Sequence, residues 1–328
     1  MMLLQTFRHI LARELLGEDD MTLFDGKYDF QLAGGFDRSY AKLPKLLRTA
    51  EYQKIAAPFV ANINRVVHLY ELPLQLIYWM GIMATVKAAA RHEHGVAVLD
   101  DSRDGEEAVR NTAVRILTGR AKKSGGLAIG ASTLAHLIGD ESIAGIGGAK
   151  EGTEAALAAM VMASYAALET LAADLWIEAV NKHSELASNW VSKNSERQLP
   201  ASVLAGYNFD LSRRMGTVLH DTKRVTFESL YDIREHYSHA FKNELNSTFE
   251  PFDDLIKVEK TRHLFAHRGG IIDRKFKDET KRFDEYKSAT VGDRLRLTGP
   301  VVGEHVNSCV KCATALLTAV DDWSVAHP

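Results

Sequence analysis

Residues 153–190 read TEAALAAMVMASYAALETLAADLWIEAVNKHSELASNW, and this stretch decides the fold class. Alanine and leucine, which have high intrinsic helix propensity, dominate it. Apolar or small side chains recur every three or four residues, at Leu157, Met160, Val161, Ser164, Leu168, Leu171, Leu175, Ile177 and Val180. This spacing predicts one long helix, Thr153–Trp190, with a stripe that faces a core.

The rest of the chain continues the helical pattern on both sides of this stretch. Downstream, we predict helices at Ser202–Thr217, Phe227–Asn246, Phe252–His267 and Val301–Ala326, and one short strand at Leu295–Thr298. Upstream, we predict two helices between Ala50 and Arg91, broken near Pro73, and a short helix at Glu106–Leu117. The predicted fold class is all-α, with a helical bundle in the second half of the chain.

Glycine becomes frequent between Gly119 and Lys150 and marks the predicted domain boundary. The segment contains no GxxxxGK[ST] and follows no clear strand, so a linker or mobile loop is favoured over a phosphate cradle. We therefore predict an N-terminal helical region of unknown role over residues 1–148. A second domain then covers residues 149–328.

Composition narrows the class of protein. Hydrophobic residues make up 46% of the 328 positions and charged residues 25%, which is typical of a chain that buries a core. Two cysteines and a net charge of −3 fit a reducing compartment and exclude a globally basic nucleic-acid coat. The most apolar run, Leu72–Val86, is shorter than the roughly 20 residues of a membrane span. We expect a cytoplasmic protein without a membrane segment or a secretion signal.

The segment Lys257–Asp273, KVEKTRHLFAHRGGIID, carries the most functional information. It is predicted to be a helix end followed at once by Gly269 and Gly270, as a left-handed cap requires. Cationic side chains are stabilised there by the negative end of the helix dipole. A well-capped basic helix end without any chemistry is therefore one interpretation of the segment.

The segment also resembles the HEPN superfamily (higher eukaryotes and prokaryotes nucleotide-binding domains), in particular RiboL-PSP-HEPN-like ribonucleases. Their mark is an arginine followed, after four to six residues, by a histidine, and Arg262 and His267 have four residues between them. The polar His263, the Gly-Gly-Ile-Ile-Asp exit and Tyr165–Glu169 in the long upstream helix also look like that family. The resemblance covers about residues 151–323.

The resemblance implies a metal-independent endoribonuclease that cleaves RNA by 2′-OH transesterification, in a toxin–antitoxin or antiphage defence context. It implies Arg262, His267 and His263 as catalytic residues. The substrate-binding residues expected beside them are Glu259, Lys260 and Arg268. No metal and no cofactor are expected. Besides RNA, the expected partners are a second copy of the chain and an antitoxin or regulatory partner bound through the N-terminal region.

Helix geometry and charge add to this prediction. Residues five apart differ by about 140° around a helix axis, so Arg262 and His267 do not face one substrate well on a single helix. Two such helices that meet across a twofold axis solve this problem, and we therefore expect a homodimer or larger assembly. His263 and His267, four apart, share a face. Residues 257–282 hold nine Lys and Arg against four Asp and Glu, which favours an RNA-binding or simply a solvated basic surface.

Several alternatives stay open at this point. Arg-to-His pairs with four to six residues between them also occur at Arg213 and Arg214 to His220 and at Arg234 to His239, outside the Gly-Gly context. A catalytically silent module that binds a nucleotide or a partner is the main functional alternative, and a metal-dependent phosphohydrolase that uses His263 and His267 is another. Cys309 and Cys312 form a single CxxC, for which buried packing is favoured over zinc or redox chemistry.

Overall fold

A computed structural model describes residues 38–69, 111, 148–192, 199–250 and 252–328. About 75% of the described residues are helical and none forms a strand, so the predicted all-α class is confirmed. In chain order the helices are α1 (Leu43–Leu46), α2 (50–69), α3 (Gly148–Lys182), α4 (Ser184–Ser192), α5 (Ala201–Gly206), α6 (Met215–Asp221), α7 (Leu230–Ala240), α8 (Phe252–Arg268), α9 (Arg274–Thr280) and α10 (Gly299–Ala326). Short 3₁₀ helices cover Arg38–Lys42, Asn246–Phe249 and Asp284–Tyr286.

Helix α3 lies at the centre of the packing. Every residue of its predicted apolar stripe is buried except Ile177, which is half-buried. Its indole at Trp176 donates to the carbonyl of His236 at 3.1 Å, and its Ala172 carbonyl accepts from the Tyr237 hydroxyl at 2.8 Å. Both partners lie on α7, so α3 and α7 are joined by hydrogen bonds inside an apolar core.

The long helix predicted to reach Trp190 is in fact two helices. Helix α3 ends at Lys182, His183 is not helical, and α4 begins at Ser184. Just before the break, the Asn181 side chain accepts from the Thr217 backbone amide at 3.2 Å and donates to the Thr217 hydroxyl at 2.9 Å. This contact with α6 holds the end of α3, and α4 turns Trp190 back toward Trp176, with ring centroids 6.4 Å apart.

The single helix predicted at Ser202–Thr217 is wrong. Helices α5 and α6 are separated by a turn in which Asn208, Phe209 and Arg213 have positive φ angles of 54°, 57° and 55°. The Asp210 carboxylate accepts from the backbone amide of Ser212 at 2.9 Å, and such local side-chain bonds compete with a continuing helix.

Helix α7 is shorter than the predicted Phe227–Asn246. The Ser229 hydroxyl accepts from the amide of Asp232 at 3.1 Å and starts the helix at the following residue. Positive φ angles at Lys242 and Asn243 prevent it from continuing. Phe252–His267 and Val301–Ala326 are confirmed as helices, to within two residues at their ends.

The strand predicted at Leu295–Thr298 does not form. An isolated antiparallel bridge joins Ile271 to Arg294 instead, and the Leu295 amide donates to the Gly270 carbonyl at 2.8 Å. The chain after α8 is extended for too few residues to pair with a longer strand.

An N-terminal segment packs against the C-terminal helix, which the sequence does not indicate. Asp321 of α10 accepts from the backbone amides of Arg48 and Thr49 at 2.8 and 2.9 Å, and from the Arg48 side chain at 3.3 Å. Tyr52 shares a hydrogen bond with Ser324 at 2.7 Å. Residues 38–68 are therefore part of the same core as α10.

The chain divides into two compact units. The first contains Met1–Gln31 and Leu69–Thr153, and the second contains Leu32–His68 and Glu154–Pro328. The division between Thr153 and Glu154 lies close to the predicted boundary at residue 148. Residues 32–68, however, were predicted in the N-terminal region and group with the C-terminal unit.

Several predicted features lie outside the described residues. These are the break near Pro73 and the helix after it, the apolar run Leu72–Val86, the helix Glu106–Leu117, and the glycine-rich segment up to residue 147. The last three residues of the glycine-rich segment, 148–150, are described and form the start of α3.

One helix among the described residues, Glu154–Lys182, is long and apolar enough to cross a membrane by length and composition alone. More than half of its most apolar window, 56%, is buried inside the protein. A core helix has the same composition, and the contacts of α3 with α7 are those of a core helix.

Candidate functional site

The predicted catalytic arginine, Arg262, lies on α8 and contacts two side chains of α3. The Arg262 guanidinium lies 3.3 and 3.2 Å from the two carboxylate oxygens of Glu169. Its central carbon is 5.5 Å from the ring centroid of Tyr165, a cation–π contact. Tyr165 and Glu169 are four residues apart and therefore lie on one face of α3. The ion pair with Glu169 and the cation–π contact with Tyr165 together fix the direction of the guanidinium.

Glu259 connects three helices at this place. Its Oε1 atom accepts from the Leu230 backbone amide at 2.8 Å and from the Tyr165 hydroxyl at 3.3 Å. Its other oxygen lies 3.2 Å from Lys260, which also pairs with Glu279 at 3.2 Å. Glu259 and Lys260, predicted as substrate-binding residues, are thus engaged in contacts between α3, α7, α8 and α9.

The pKa of Glu169 is raised to about 7, mainly because the carboxyl group is buried. The positive charge of Arg262 lowers this pKa, whereas the negative charges of Glu259 and Glu228 raise it. A carboxylate whose pKa is close to neutral pH, in contact with a predicted catalytic cation, is typical of functional sites. In the sequence, Glu169 stands out only as part of the segment Tyr165–Glu169, and its signal is a carboxylate within the apolar stretch Ala155–Ala173.

Glu169→Gln is expected to change how stability depends on pH. In the unfolded chain the carboxyl group loses its proton near pH 4.5, whereas in the folded protein it keeps the proton up to about pH 7. Between these values the folded state binds more protons, so Glu169 contributes a free energy of unfolding that falls as pH rises. Glutamine has no proton to lose. The stability of the variant relative to the natural protein should therefore increase between pH 5 and pH 7, as measured by urea unfolding, and parallel curves would contradict the assignment.

His263 and His267 form a pair on the solvent side of α8. Their ring centroids are 4.4 Å apart, and both residues are exposed, so the predicted shared face is confirmed. The pKa of His263 is lowered, first by partial burial and then by electrostatic interaction with His267, Lys275, Arg262 and Lys260. The His263 ring is therefore mostly neutral at pH 7 and adds little positive charge of its own to the pair.

Arg262 and His267 do not meet within one chain. Arg262 is directed toward Glu169 on α3, and His267 is exposed in the last turn of α8. Among the described residues no hydrogen bond or ring contact joins the two side chains. Because both lie on one regular helix, the offset of about 140° between them is present in the structure.

The glycine pair ends α8 as predicted. Gly269 and Gly270 have positive φ angles of 58° and 85°, and the chain then reverses toward α9. Arg268, a predicted substrate-binding residue, lies 3.5 Å from Asp273, whose side chain caps α9 by accepting from the Phe276 amide at 2.7 Å. The glycine cap thus ends α8 directly after Arg268, so the histidine pair lies in the exposed last turns of this helix.

Gly270→Ala is expected to destabilise the protein more than Gly269→Ala. Both positions have a positive φ, which costs an alanine about 1–2 kcal/mol. A methyl group at Gly270 would lie 2.6 Å from the Phe265 ring, whereas one at Gly269 meets nothing within 4 Å. Overpacking should add about 1–3 kcal/mol at Gly270 alone. Chemical denaturation of both variants measures the difference, and equal losses would show that the Phe265 ring moves away at no cost.

Most cations of the predicted basic segment are already paired. Carboxylate oxygens lie 2.7–3.5 Å from five of the nine, namely Lys257, Lys260, Arg262, Arg268 and Arg282. Lys277 donates to the backbone carbonyls of Lys287 and Ala289. In the described part of the chain, Arg274, Lys275 and Lys281 have no carboxylate partner, and all three are exposed on or beside α9. The positive surface open to an anion is therefore smaller than the sequence indicates.

The two cysteines are buried thiols in the interior of α10. Burial raises the pKa of both Cys309 and Cys312 to about 12, so neither forms a thiolate at neutral pH. Buried packing, the favoured interpretation of the CxxC, agrees with this. Over the described ranges, no group of three or more His, Cys, Asp or Glu side chains is arranged to hold a metal ion.

Comparison with known proteins adds no relative. No family model, no curated protein and no solved structure matches this chain. The functional evidence lies in the site itself, where an arginine fixed by a carboxylate stands beside an exposed pair of histidines at a helix end.

Proposed function

We propose that the protein is a metal-independent endoribonuclease of HEPN type. The observation that carries the proposal is the His263–His267 pair, with ring centroids 4.4 Å apart at an exposed, positively charged helix end one turn from Arg262. Imidazole is the side chain whose pKa suits proton transfer at neutral pH. A toxin–antitoxin or antiphage setting in the cytoplasm is proposed from the sequence resemblance alone.

The chemistry needs one proton acceptor and a cluster of positive charge. A neutral imidazole, assigned to His267, takes the proton from a ribose 2′-OH, and the 2′-oxygen attacks the adjacent phosphorus. The bond from phosphorus to the 5′-oxygen breaks, and that oxygen takes up a proton. Arg262 stabilises the charge on the phosphorus oxygens, and His263 orients its neighbour. DNA lacks the 2′-OH and is not a substrate by this route.

A second copy of the chain is part of the proposal. Within one chain Arg262 and His267 differ in direction by about 140°, so one chain offers the substrate only one of them. Two α8 helices related by a twofold axis bring the arginine of one copy toward the histidines of the other. Such an arrangement needs the exposed end of α8 to lie at the interface.

Static light scattering at micromolar concentration should therefore report at least a dimer. Lys or Arg substitutions in the exposed last turn of α8, such as Ala266→Lys, should shift the mass toward the monomer, because they add like charges on both sides of an interface that already holds Arg262 and Arg268. A strict monomer that still cleaves RNA would contradict the prediction that two copies of the chain share one active site.

The function is tested by incubating the purified protein with total RNA, with and without a chelator. Cleavage that resists the chelator and leaves 2′,3′-cyclic phosphate ends supports the proposal. If chelation abolishes cleavage, the alternative is a metal-dependent phosphohydrolase that uses His263 and His267. If no RNA is cut under either condition, the proposal of an active ribonuclease fails.

One observation favours a second function, a catalytically silent module that binds a nucleotide or a partner. Arg262 already contacts Glu169 and Tyr165, so a phosphate must compete with a partly buried carboxylate for it. Isothermal titration with mononucleotides distinguishes the two functions, because the silent module should bind a nucleotide at sites that include His263 and cut no RNA.

A further inference from the structure

Tyr231 is a large aromatic side chain left in solvent beside the candidate site. It belongs to the first turn of α7, and 68% of its surface is exposed. Its neighbours Leu230, Ile233 and Tyr237 are buried and supply the packing of α7. Within the described residues, Tyr231 makes no hydrogen bond, ring contact or cation–π contact, so nothing in the fold accounts for an aromatic ring at this position.

A short chain of contacts connects Tyr231 to the predicted catalytic residues. The backbone amide of the preceding residue, Leu230, donates to Glu259 at 2.8 Å. Glu259 lies on α8 one turn before His263, so the two side chains share a helix face. It also accepts from Tyr165, whose ring lies under the Arg262 guanidinium. The backbone at Leu230 and Tyr231 therefore lies next to Glu259, one helical turn from His263 on α8.

The charge of the surroundings suits a nucleic-acid strand. Lys275 acts on His263 strongly enough to lower its pKa, and Lys275 is exposed and has no carboxylate partner in the described part of the chain. Tyr231 and the unpaired cation of Lys275 provide a stacking surface and a phosphate contact near His263. These are the two elements with which proteins hold single strands.

We infer that Tyr231 stacks on an unpaired base of the RNA substrate, next to the phosphate held at His263 and His267. The inference rests on the proposed function and adds that the substrate is single-stranded at the site. A base within a duplex is already stacked and paired on both sides, so its face is not open to the tyrosine ring. Tyr231 is accordingly a positioning residue and takes no part in proton transfer.

The test measures binding of a short, fluorescently labelled, fully 2′-O-methylated oligonucleotide, which the protein cannot cleave by this chemistry. Fluorescence anisotropy should show that Tyr231→Ala raises Kd by about 5- to 100-fold, the loss expected for one stacked base. Tyr231→Phe should stay within about twofold of the natural protein, because stacking does not need the hydroxyl. The same oligonucleotide annealed to its complement should bind more weakly.

Phe209→Ala is the matched control. Phe209 is 70% exposed, like Tyr231, but lies in the turn between α5 and α6. Its removal should leave Kd unchanged. Unaltered binding in Tyr231→Ala, an equal loss in Phe209→Ala, or no binding of the single strand by the natural protein would each overturn the inference.

Cleavage kinetics separate this inference from the proposed function. If RNA is cleaved, Tyr231→Ala should raise KM by a similar factor and leave kcat within about threefold, whereas a catalytic residue would lower kcat. If the natural protein cleaves no RNA but binds the methylated strand through Tyr231, the ribonuclease proposal fails and the stacking site stands. If RNA is cleaved with an unchanged KM in Tyr231→Ala, the ribonuclease proposal stands and the stacking site fails.

Discussion

His267→Ala is expected to lower the rate of RNA cleavage by about 10²–10⁴-fold, the usual loss when a general acid or base is removed. Arg262→Ala is expected to lower it by about 10²–10³-fold, the usual loss when a group that stabilises transition-state charge is removed. Arg262→Lys should also lose most of the activity, because an ammonium group cannot grip two phosphate oxygens with a planar fork. His263→Ala should cost less, since its proposed role is to orient His267. Initial rates on a defined RNA, measured with protein of verified mass and helicity, give these numbers.

Arg234→Ala and His239→Ala are the controls, because they have the same spacing on α7 without the Gly-Gly exit. Both should retain activity close to that of the natural protein. Full activity in the Arg262 and His267 variants, or loss of activity in the α7 variants alone, would show that the catalytic site does not lie on α8. Glu169 loses its partner in Arg262→Ala, and therefore Arg262→Lys, which keeps the positive charge, guards against a merely structural effect.

Asp321→Ala should cost about 2–4 kcal/mol of the free energy of unfolding. The Asp321 side chain is only 3% exposed and accepts from the amides of Arg48 and Thr49. Its removal leaves the buried amide of Thr49 without an acceptor, at about 1–3 kcal/mol, and the partly buried amide of Arg48, at a smaller cost. Asp322→Ala is the matched control, because Asp322 also contacts Arg48 but is 64% exposed, and an exposed ion pair contributes less than about 1 kcal/mol.

Asp321 also makes the free energy of unfolding depend on pH in the acidic range. Burial by itself would raise the pKa of Asp321, but the hydrogen bonds from Thr49 and Arg48 outweigh it and lower the pKa. The stabilisation is therefore present above the ordinary aspartate pKa, near 3.8, and is lost as pH falls through the lower folded value. Urea unfolding of both variants at pH 7 and pH 3 tests this. Equal destabilisation by Asp321→Ala and Asp322→Ala would show that residues 38–68 are not held by Asp321.

Helices with regular apolar repeats and clear end signals were predictable. The two glycines after Arg268 mark the end of α8, and Pro300 marks the first turn of α10, so both helices were placed within two residues. The region 202–217 has helical composition but contains Asp210, whose side chain bonds to Ser212 and favours a turn. Composition summed over a window does not detect one such local bond.

Contacts between distant residues explain the rest. Arg262 contacts Glu169, which lies 93 positions earlier in the sequence. Leu230 donates to Glu259 through its backbone amide, and because every residue except proline has such an amide, the sequence does not indicate this contact. The sequence predicted that Arg262 and His267 face different directions, since that follows from helix geometry. It did not predict which side chains occupy the arginine, because the packing of α3 against α8 decides that.

The hydrogen bond between Arg48 and Asp321 has a consequence for synthesis of the chain. The two residues are 273 positions apart, so a ribosome that adds about 5–20 residues per second needs about 15–55 s to travel from one to the other. During that time Tyr52, which is buried in the finished protein, lacks its hydrogen-bond partner Ser324 on α10. The nascent segment therefore emerges without the contacts that hold it to α10, and closure of the C-terminal unit is one of the last events of translation.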